Sequence, residues 1–220
     1  MSKKKYIIFG ATYYSEMLSY YVERYDQVEV SAFTVDERYR TSNELYGKPL
    51  IGFEEIERSY PPETHEILVA LGYQGMNGLR AKKFQEVKKK GYKIASFIHP
   101  MCHIEDVQLG EGNIILENVS LGYHVKIGDG NILWNGCNIS HHCEIGNFNF
   151  FAPSSVLAGK VSVKNHCFFG INSTVKGGLV VQPYSLIGAG CYLNQDTEEK
   201  GVYVPERSKK LSNKISLDLI

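Results

Sequence analysis

The chain carries seven histidines, two of them adjacent at His141 and His142. An imidazole near its ordinary pKa of about 6.5 accepts a proton from an attacking nucleophile at neutral pH, which is the work of a general base. His124 lies eighteen residues before His142, and Gly159 eighteen after His141. A backbone N–H at Gly159 would suit an oxyanion forming beside such a base. The same histidines admit a second chemistry, in which three imidazoles hold zinc and activate water, with His166 as the third. A histidine on an exposed corner is also commonly just solvated. The residues alone leave these three readings open.

The interval of eighteen matters because of a repeat. From Leu109 every sixth residue is apolar: Leu109, Ile115, Leu121, Ile127, Leu133, Ile139, Ile145, Phe151, Leu157, Val163, Phe169, Val175, Val181, Ile187 and Leu193. A helix needs a period near 3.6 and an ordinary strand a period of 2. Period six is the signature of a hexapeptide parallel β-helix, whose three hexads make one triangular coil. Residues eighteen apart then stack, His124 on His142 and His141 on Gly159. One residue after the anchors the chain is often small (Gly110, Gly122, Gly128, Gly146, Gly170), which reads as a tight corner where glycine tolerates unusual backbone angles. Four residues after them come Val119, Val125, Cys137, Cys143, Ser155, Val161, Cys167, Ser173, Ser185 and Cys191, which read as small inward-facing positions.

Before the repeat, strand-like and helix-like segments alternate: Lys5 to Phe9, Ser15 to Tyr25, Val28 to Val35, Ile67 to Leu71, Leu79 to Lys90 and Tyr92 to Ile98. Alternation of this kind predicts a small parallel α/β domain. The expected division is an α/β domain over 1–99, a β-helix over 100–196 and a tail over 197–220 that caps the open coil. Ligands of such sheets sit beyond the carboxyl ends of strands, which here carry Gly10, Asp36 and Gly72. The turn Gly10-Ala11-Thr12-Tyr13-Tyr14-Ser15 lacks the later glycines of a dinucleotide fingerprint. Trp134, Phe148 and Phe150 read as aromatic surface near the histidine pair, more for packing than for stacking on a ligand. Lys88-Lys89-Lys90 reads as a solvated face at a helix end.

Lysine plus arginine and aspartate plus glutamate each number 24, so the net charge is zero. That argues against nucleic-acid or membrane-surface binding through a basic face. The apolar run after the first lysines is too short for a signal peptide. Five cysteines without a CxxC pair fit a reducing cytoplasm better than a disulfide framework.

An α/β domain followed by this β-helix resembles the sugar acyltransferases of the sialic acid O-acetyltransferase type. That group includes N-acetyltransferases acting on UDP-4-amino sugars of the bacillosamine pathway and on GDP-perosamine. The resemblance spans nearly the whole chain and is sharpest at Ile139-Ser140-His141-His142-Cys143-Glu144-Ile145-Gly146, Cys167-Phe168-Phe169-Gly170-Ile171-Asn172-Ser173 and Gly201-Val202-Tyr203-Val204-Pro205. It implies a Rossmann-like first domain, a left-handed coil and a homotrimer with active sites between subunits. It also implies acetyl-CoA as donor without a metal, and a nucleotide-linked amino sugar, of the 4-amino-4,6-dideoxy kind, as acceptor for surface glycan synthesis. His141 takes the place of the general base. Gly159, Ile171, Ala189, Gly190 and Pro205 would line the coenzyme site, and Gly10, Tyr14, Asp36, Gly72 and Arg80 the nucleotide site. The chain departs from the pattern in its first loop, at Phe150, at Tyr203, and at His142, where the family commonly has an acidic residue that orients the base. That leaves Glu144, Asn118, a backbone carbonyl or a neighbouring subunit to orient His141. Alternatives are O-acetylation of a sugar such as sialic acid, a zinc-dependent hydratase-like β-helix, and a non-catalytic scaffold that binds sugar nucleotides.

Overall fold

A computed structural model of the chain describes residues 5–206 and 208. The first part is a sheet of β1 (Lys5–Phe9), β2 (Glu29–Val35), β3 (Glu44–Leu45), β4 (Lys48–Gly52), β5 (Glu66–Val69) and β6 (Lys93–Ile94), with helices α1 (Tyr13–Tyr21) and α2 (Gly78–Lys89). Its order is β3-β4-β2-β1-β5-β6, parallel except for the β3–β4 hairpin. Alternation along β1 explains how helices cover both faces. Tyr6 and Ile8 pack in one core with Leu18 of α1, while Ile7 and Phe9 pack in another with Phe84 and Val87 of α2. The chain turns one way from β1 to β2 and the other way to β5. The crevice between the carboxyl ends of β1 and β5 is therefore the sheet's switch point.

The second part is a parallel β-helix of two-residue strands on three faces. One face runs from Phe97–Ile98 through Ile132–Leu133 and Phe150–Phe151 to Val202–Tyr203. The second runs from His103–Ile104 to Tyr192–Leu193, and the third from Gln108–Leu109 to Val180–Val181. The apolar anchors fill the interior together with every one of the small inward positions named above. Burial pushes the Cys137 thiol up to about 12 and the Cys167 thiol to about 11, so these cysteines are packing groups rather than thiolates.

Three features differ from the sequence reading. Tyr92 to Ile98 is not one strand: Lys93–Ile94 closes the α/β sheet, while Phe97–Ile98 already pairs with Ile114–Ile115 of the coil. At the other end Val202–Tyr203 pairs with Leu186–Ile187, so the coil continues past residue 196. The expected cap from Glu206 to Ile220 lies, after Glu206 and Ser208, outside the described residues. The corner geometry also differs. Left-handed backbone falls three residues after each anchor from Leu109 to Ile187, at Gly112, Asn118, His124, Gly130, Gly136, His142, Phe148, Ser154, Lys160, His166, Asn172, Gly178, Tyr184 and Gly190. The small residue one place after the anchor serves close approach instead, since a Cβ at Gly170 would collide with the backbone of Ala189.

A ladder of buried amides and a more exposed one run along the corner between the third and first faces. The Asn113 Oδ1 accepts from the Asn131 amide at 2.9 Å, the Asn131 Oδ1 from the Asn149 amide at 2.8 Å, and the Asn149 Oδ1 from the Cys167 amide at 2.7 Å. Beside them the Asp129, Asn147 and Asn165 side chains accept from Glu111, Asp129 and Asn147 amides. The α/β domain docks on this corner. Arg80, 1% exposed, donates to the carbonyls of Gly130, Asn149, Leu71 and Gly72 and to Asn77 Oδ1. Asn77 Nδ2 donates to Cys167 O, and Phe84 of α2 meets Phe148 edge to face at 5.2 Å. The lysine run at the end of α2 is more engaged than a solvated face: Lys88 pairs with Glu111 and Lys90 with Glu57.

Asn131→Ala removes a side chain that is fully buried and strands the Asn149 amide and the Gly146 carbonyl. The expected loss is about 2–4 kcal/mol, read as a lowered urea midpoint. Arg80→Met leaves the carbonyls of Gly130, Leu71 and Gly72 without their donor at the domain junction. The expected result is a lower melting temperature together with faster proteolysis or hydrogen exchange in 72–80, ahead of the coil itself.

Candidate active site

Two corners of the prism carry the candidate residues. His141 and His142 lie on the corner between the second and third faces. The His141 amide is packed under Gly122, and its carbonyl accepts from the Lys160 amide at 2.9 Å. Its imidazole lies over Gly159: a Cβ placed on Gly159 would sit 2.6 Å from the His141 Nε2. The absence of a side chain at 159 is what gives the ring its place, as the eighteen-residue spacing predicts. The Gly159 amide has no acceptor among the described residues, so it is free to donate outward. The partner of the His141 Nδ1 is the His142 Nδ1, 3.1 Å away, and none of the groups considered from sequence. His142 packs in turn against the rings of Tyr123 and His124, and the His124 Nδ1 lies 3.2 Å from Asp106 Oδ2.

The coenzyme residues implied by resemblance divide. Gly159 shares the histidine corner. Ile171, Ala189, Gly190 and Pro205 fall in register on the corner between the first and second faces, all exposed, with Ile171 at 52%. One chain brings these four together and keeps them apart from His141. Trp134 lies on the same corner in the neighbouring column, in register with Gly170 two coils on.

The nucleotide residues gather at the switch point with one exception. Gly10 and Asp36 line a cavity of about 420 Å³ with Ala11, Thr12, Tyr39 and Gln74. Asp36 is held by Lys83 at 2.6 Å. Burial pulls the Lys83 ammonium down, but its hydrogen bonds to Asp36 and Glu86 outweigh this and leave its pKa raised. Tyr14 and Gly72 line an adjoining cavity of about 470 Å³ with Tyr73, Trp134 and Phe150, so that one bridges the α/β domain and the coil. Tyr14 stacks on Trp134 at 5.4 Å. Its hydroxyl and the Trp134 Nε1 are buried without a hydrogen-bond partner, and burial raises the phenol's pKa. The exception is Arg80. Its guanidinium is spent on the carbonyls of the domain junction, so it supports the cavity wall rather than facing a ligand. Burial lowers its pKa to about 10, and it stays a cation at neutral pH.

The loop that shapes the bridging cavity is strained. Gly75, Met76 and Asn77 all have positive φ, of 59°, 49° and 65°. Asn77 is locked by Arg80 and Cys167, and the Met76 carbonyl by the His166 Nδ1 at 3.2 Å. Sequence reasoning missed Asn77, Asn131 and Asn149; the last two show the same interval of eighteen that was applied to the histidines.

One expectation is corrected. Trp134, Phe148 and Phe150 are not near the histidine pair. Phe150 lies on the first face and the others on its two corners, packed against the α/β domain. Within one chain His166 stands apart from His124 and His142, on the different face that the count of eighteen gives it. It is stacked between Phe148 and Tyr184, at 5.6 and 4.8 Å on a different corner, and burial lowers its pKa.

No protein-family description and no curated protein matches the sequence. Solved structures do match the fold. The acetyltransferase domain of PglB from Neisseria gonorrhoeae is 20% identical, with a TM-score of 0.82 over 95% of this chain and 100% of that one. PerB from Caulobacter crescentus, solved in complex with CoA and GDP-perosamine, is 24% identical, with a TM-score of 0.81 over 91% and 94%. WeeI from Acinetobacter baumannii is 19% identical, with a TM-score of 0.81 over 91% and 96%. The chain thus shares, along nearly its whole length, the two-part β-helix fold of these acetyltransferases.

Proposed function

We propose that the chain is an acetyl-CoA-dependent N-acetyltransferase acting on a nucleotide-linked amino sugar. One observation carries the reading: in a fold shared with a protein solved with CoA and GDP-perosamine, the His141 imidazole lies over a side-chain-free Gly159. The N-terminal sheet serves as a Rossmann-like nucleotide domain, with the base and ribose in the cavity at Gly10 and Asp36 and the sugar reaching toward Tyr14 and Trp134. The coil is left-handed, the assembly a homotrimer and the compartment the cytoplasm. Among the described residues no helix is long and apolar enough to cross a membrane.

The division of the site over two corners favours the trimer. A thioester lying along the Ile171, Ala189, Gly190 and Pro205 column is on the wrong corner for His141 of its own chain. A second copy that places its histidine corner against this column completes the site, and holding both reactants there supplies much of the rate.

The amine of the sugar attacks the thioester carbonyl through its lone pair. As the C–N bond forms, its proton passes to the His141 Nε2. The carbonyl oxygen gains negative charge, which the Gly159 amide is free to stabilise. Collapse breaks the C–S bond, and the proton leaves His141 for the departing thiolate. The products are the acetamido sugar and free coenzyme A.

Purified protein, acetyl-CoA and a panel of UDP-, GDP- and dTDP-linked amino sugars, with sialic acid as comparison, test this by thiol release. Release with an amino-sugar nucleotide, falling roughly 10²–10⁴-fold in His141→Asn with the oligomer intact, is the expected result. Release with sialic acid alone moves the reading to O-acetylation, and silence across the panel rejects a transferase. Gly159→Ala pushes the imidazole aside without touching the core, so kcat is expected to drop by about 10²-fold at nearly unchanged melting temperature.

A further inference from the structure

We propose that His142 is a positioning residue that sets the tautomer of His141, in the role a carboxylate has in related sites. The inference rests on His141 being the base. Its basis is proton counting. Two imidazole nitrogens 3.1 Å apart make a hydrogen bond only if one of them carries a hydrogen. If the His141 Nδ1 donates, its Nε2 keeps the lone pair that a base needs. If the His142 Nδ1 donates, the His141 Nε2 is protonated and cannot take the amine's proton. The pair is therefore a switch between a competent and an incompetent ring, and the surroundings of His142 decide which holds.

Those surroundings are built. The backbone of His142 sits at φ 58°, and its amide donates to Tyr123 O at 2.9 Å. Its ring is walled by Tyr123 and by His124, with centroids 5.8 and 5.4 Å away. The wall is fixed by Asp106 on the His124 Nδ1. The titratable groups around the pair are thus His124 and Asp106 on the coil before, Tyr123 beside both rings, and Lys160 in register on the coil after. A neutral His142 can only accept from the His141 Nδ1–H or donate to it. Acceptance is what leaves the reactive Nε2 unprotonated.

A neutral partner differs from a carboxylate in a measurable way. A carboxylate at this place would favour the imidazolium form of His141 and raise its pKa. The unprotonated base would then be lost at a higher pH, and the acid limb of kcat/KM would move up.

Three substitutions separate these effects, and the turn accepts all of them. Asparagine and aspartate tolerate positive φ, and the chain already holds Phe148 at the equivalent turn position with φ 55°. The Oδ1 of asparagine or aspartate stands where the histidine Nδ1 stands. His142→Asn is expected to keep kcat within about threefold, because Oδ1 still accepts. His142→Phe is expected to lose at least about tenfold in kcat with little change in KM, because nothing fixes the tautomer. His142→Asp is expected to shift the acid limb upward by about one pH unit. A readout independent of turnover accompanies them: nitrogen NMR of the full-length protein labelled at its histidine side chains. His141 should be the Nδ1–H form in the unmodified protein and in His142→Asn. In His142→Phe it should revert toward the Nε2–H form that a free side chain favours. If His141 keeps its tautomer in His142→Phe and both rate and pH limb are unchanged, the proposal is overturned. Failure of the transferase reading looks different: the tautomer follows residue 142, yet no amino-sugar nucleotide releases thiol even from the unmodified protein.

Discussion

Each coil of the β-helix hydrogen-bonds to the next with one fixed offset, and everything else in the molecule depends on that register. Because the offset is eighteen residues, a side chain meets the same position of its neighbours above and below. Apolar anchors therefore stack on anchors, as the Phe151 and Phe169 rings do at 4.4 Å, and amide ladders join asparagines to asparagines. The offset also places His141 on Gly159. A one-residue slip would put an alanine or a lysine under the imidazole, since Ala158 and Lys160 flank the glycine. Between Gln108 and Leu193 the register is unbroken. It changes only at the ends, where Phe97 pairs with Ile114 and Leu186 with Val202. The first of these ends is where the chain passes from the α/β domain into the coil.

The α/β domain docks on the coil through a shared apolar core and, beside it, a saturated polar tie. Isolated backbone carbonyls at a turn are expensive to bury. Arg80 collects four of them with one rigid, planar donor set, a task no lysine could do. The result is a fixed platform along the cavity edge, and it explains how three consecutive positive-φ residues at Gly75–Asn77 are held. Beside this saturated wall, the Tyr14 hydroxyl and the Trp134 Nε1 stand without partners. The contrast within one region singles out the bridging cavity as the place where polar capacity is left for something other than the protein.

Much of the fold was legible because period six admits no other element, and because each anchor is decided locally by being apolar. The histidine over Gly159 was legible for the same reason, as simple arithmetic on the register. What was not legible depends on contacts between segments far apart in sequence. The resemblance implies a ligand-facing Arg80, but its acceptors at Gly130 and Asn149 lie 50 and 69 residues away. The strand at Tyr92–Ile98 looks continuous by composition. It is divided because its two halves find different partners. His142 was read as the loss of an acidic residue, since a sequence shows which residue is missing but not that the replacement reaches the same nitrogen.

The turn residues show where the chain puts its side chains to use. Left-handed backbone at a non-glycine residue costs roughly 1 kcal/mol or more, so glycine is the default wherever no side chain is required. Gly178 and Gly190 follow that default, with open space where a Cβ would be. Phe148, His166 and Tyr184 do not, and their rings form one continuous stack that meets α2 through Phe84. His124 and His142 do not either, and their rings form the wall behind His141. Along these corners a bulky residue at positive φ is therefore a sign of a contact that offsets its strain. By that criterion the histidine corner is built as deliberately as the domain junction, although it is exposed and buries almost nothing. An exposed turn gains little stability from such a cost. The return has to be sought in the orientation of the ring whose Nδ1 meets the His142 Nδ1, which is His141.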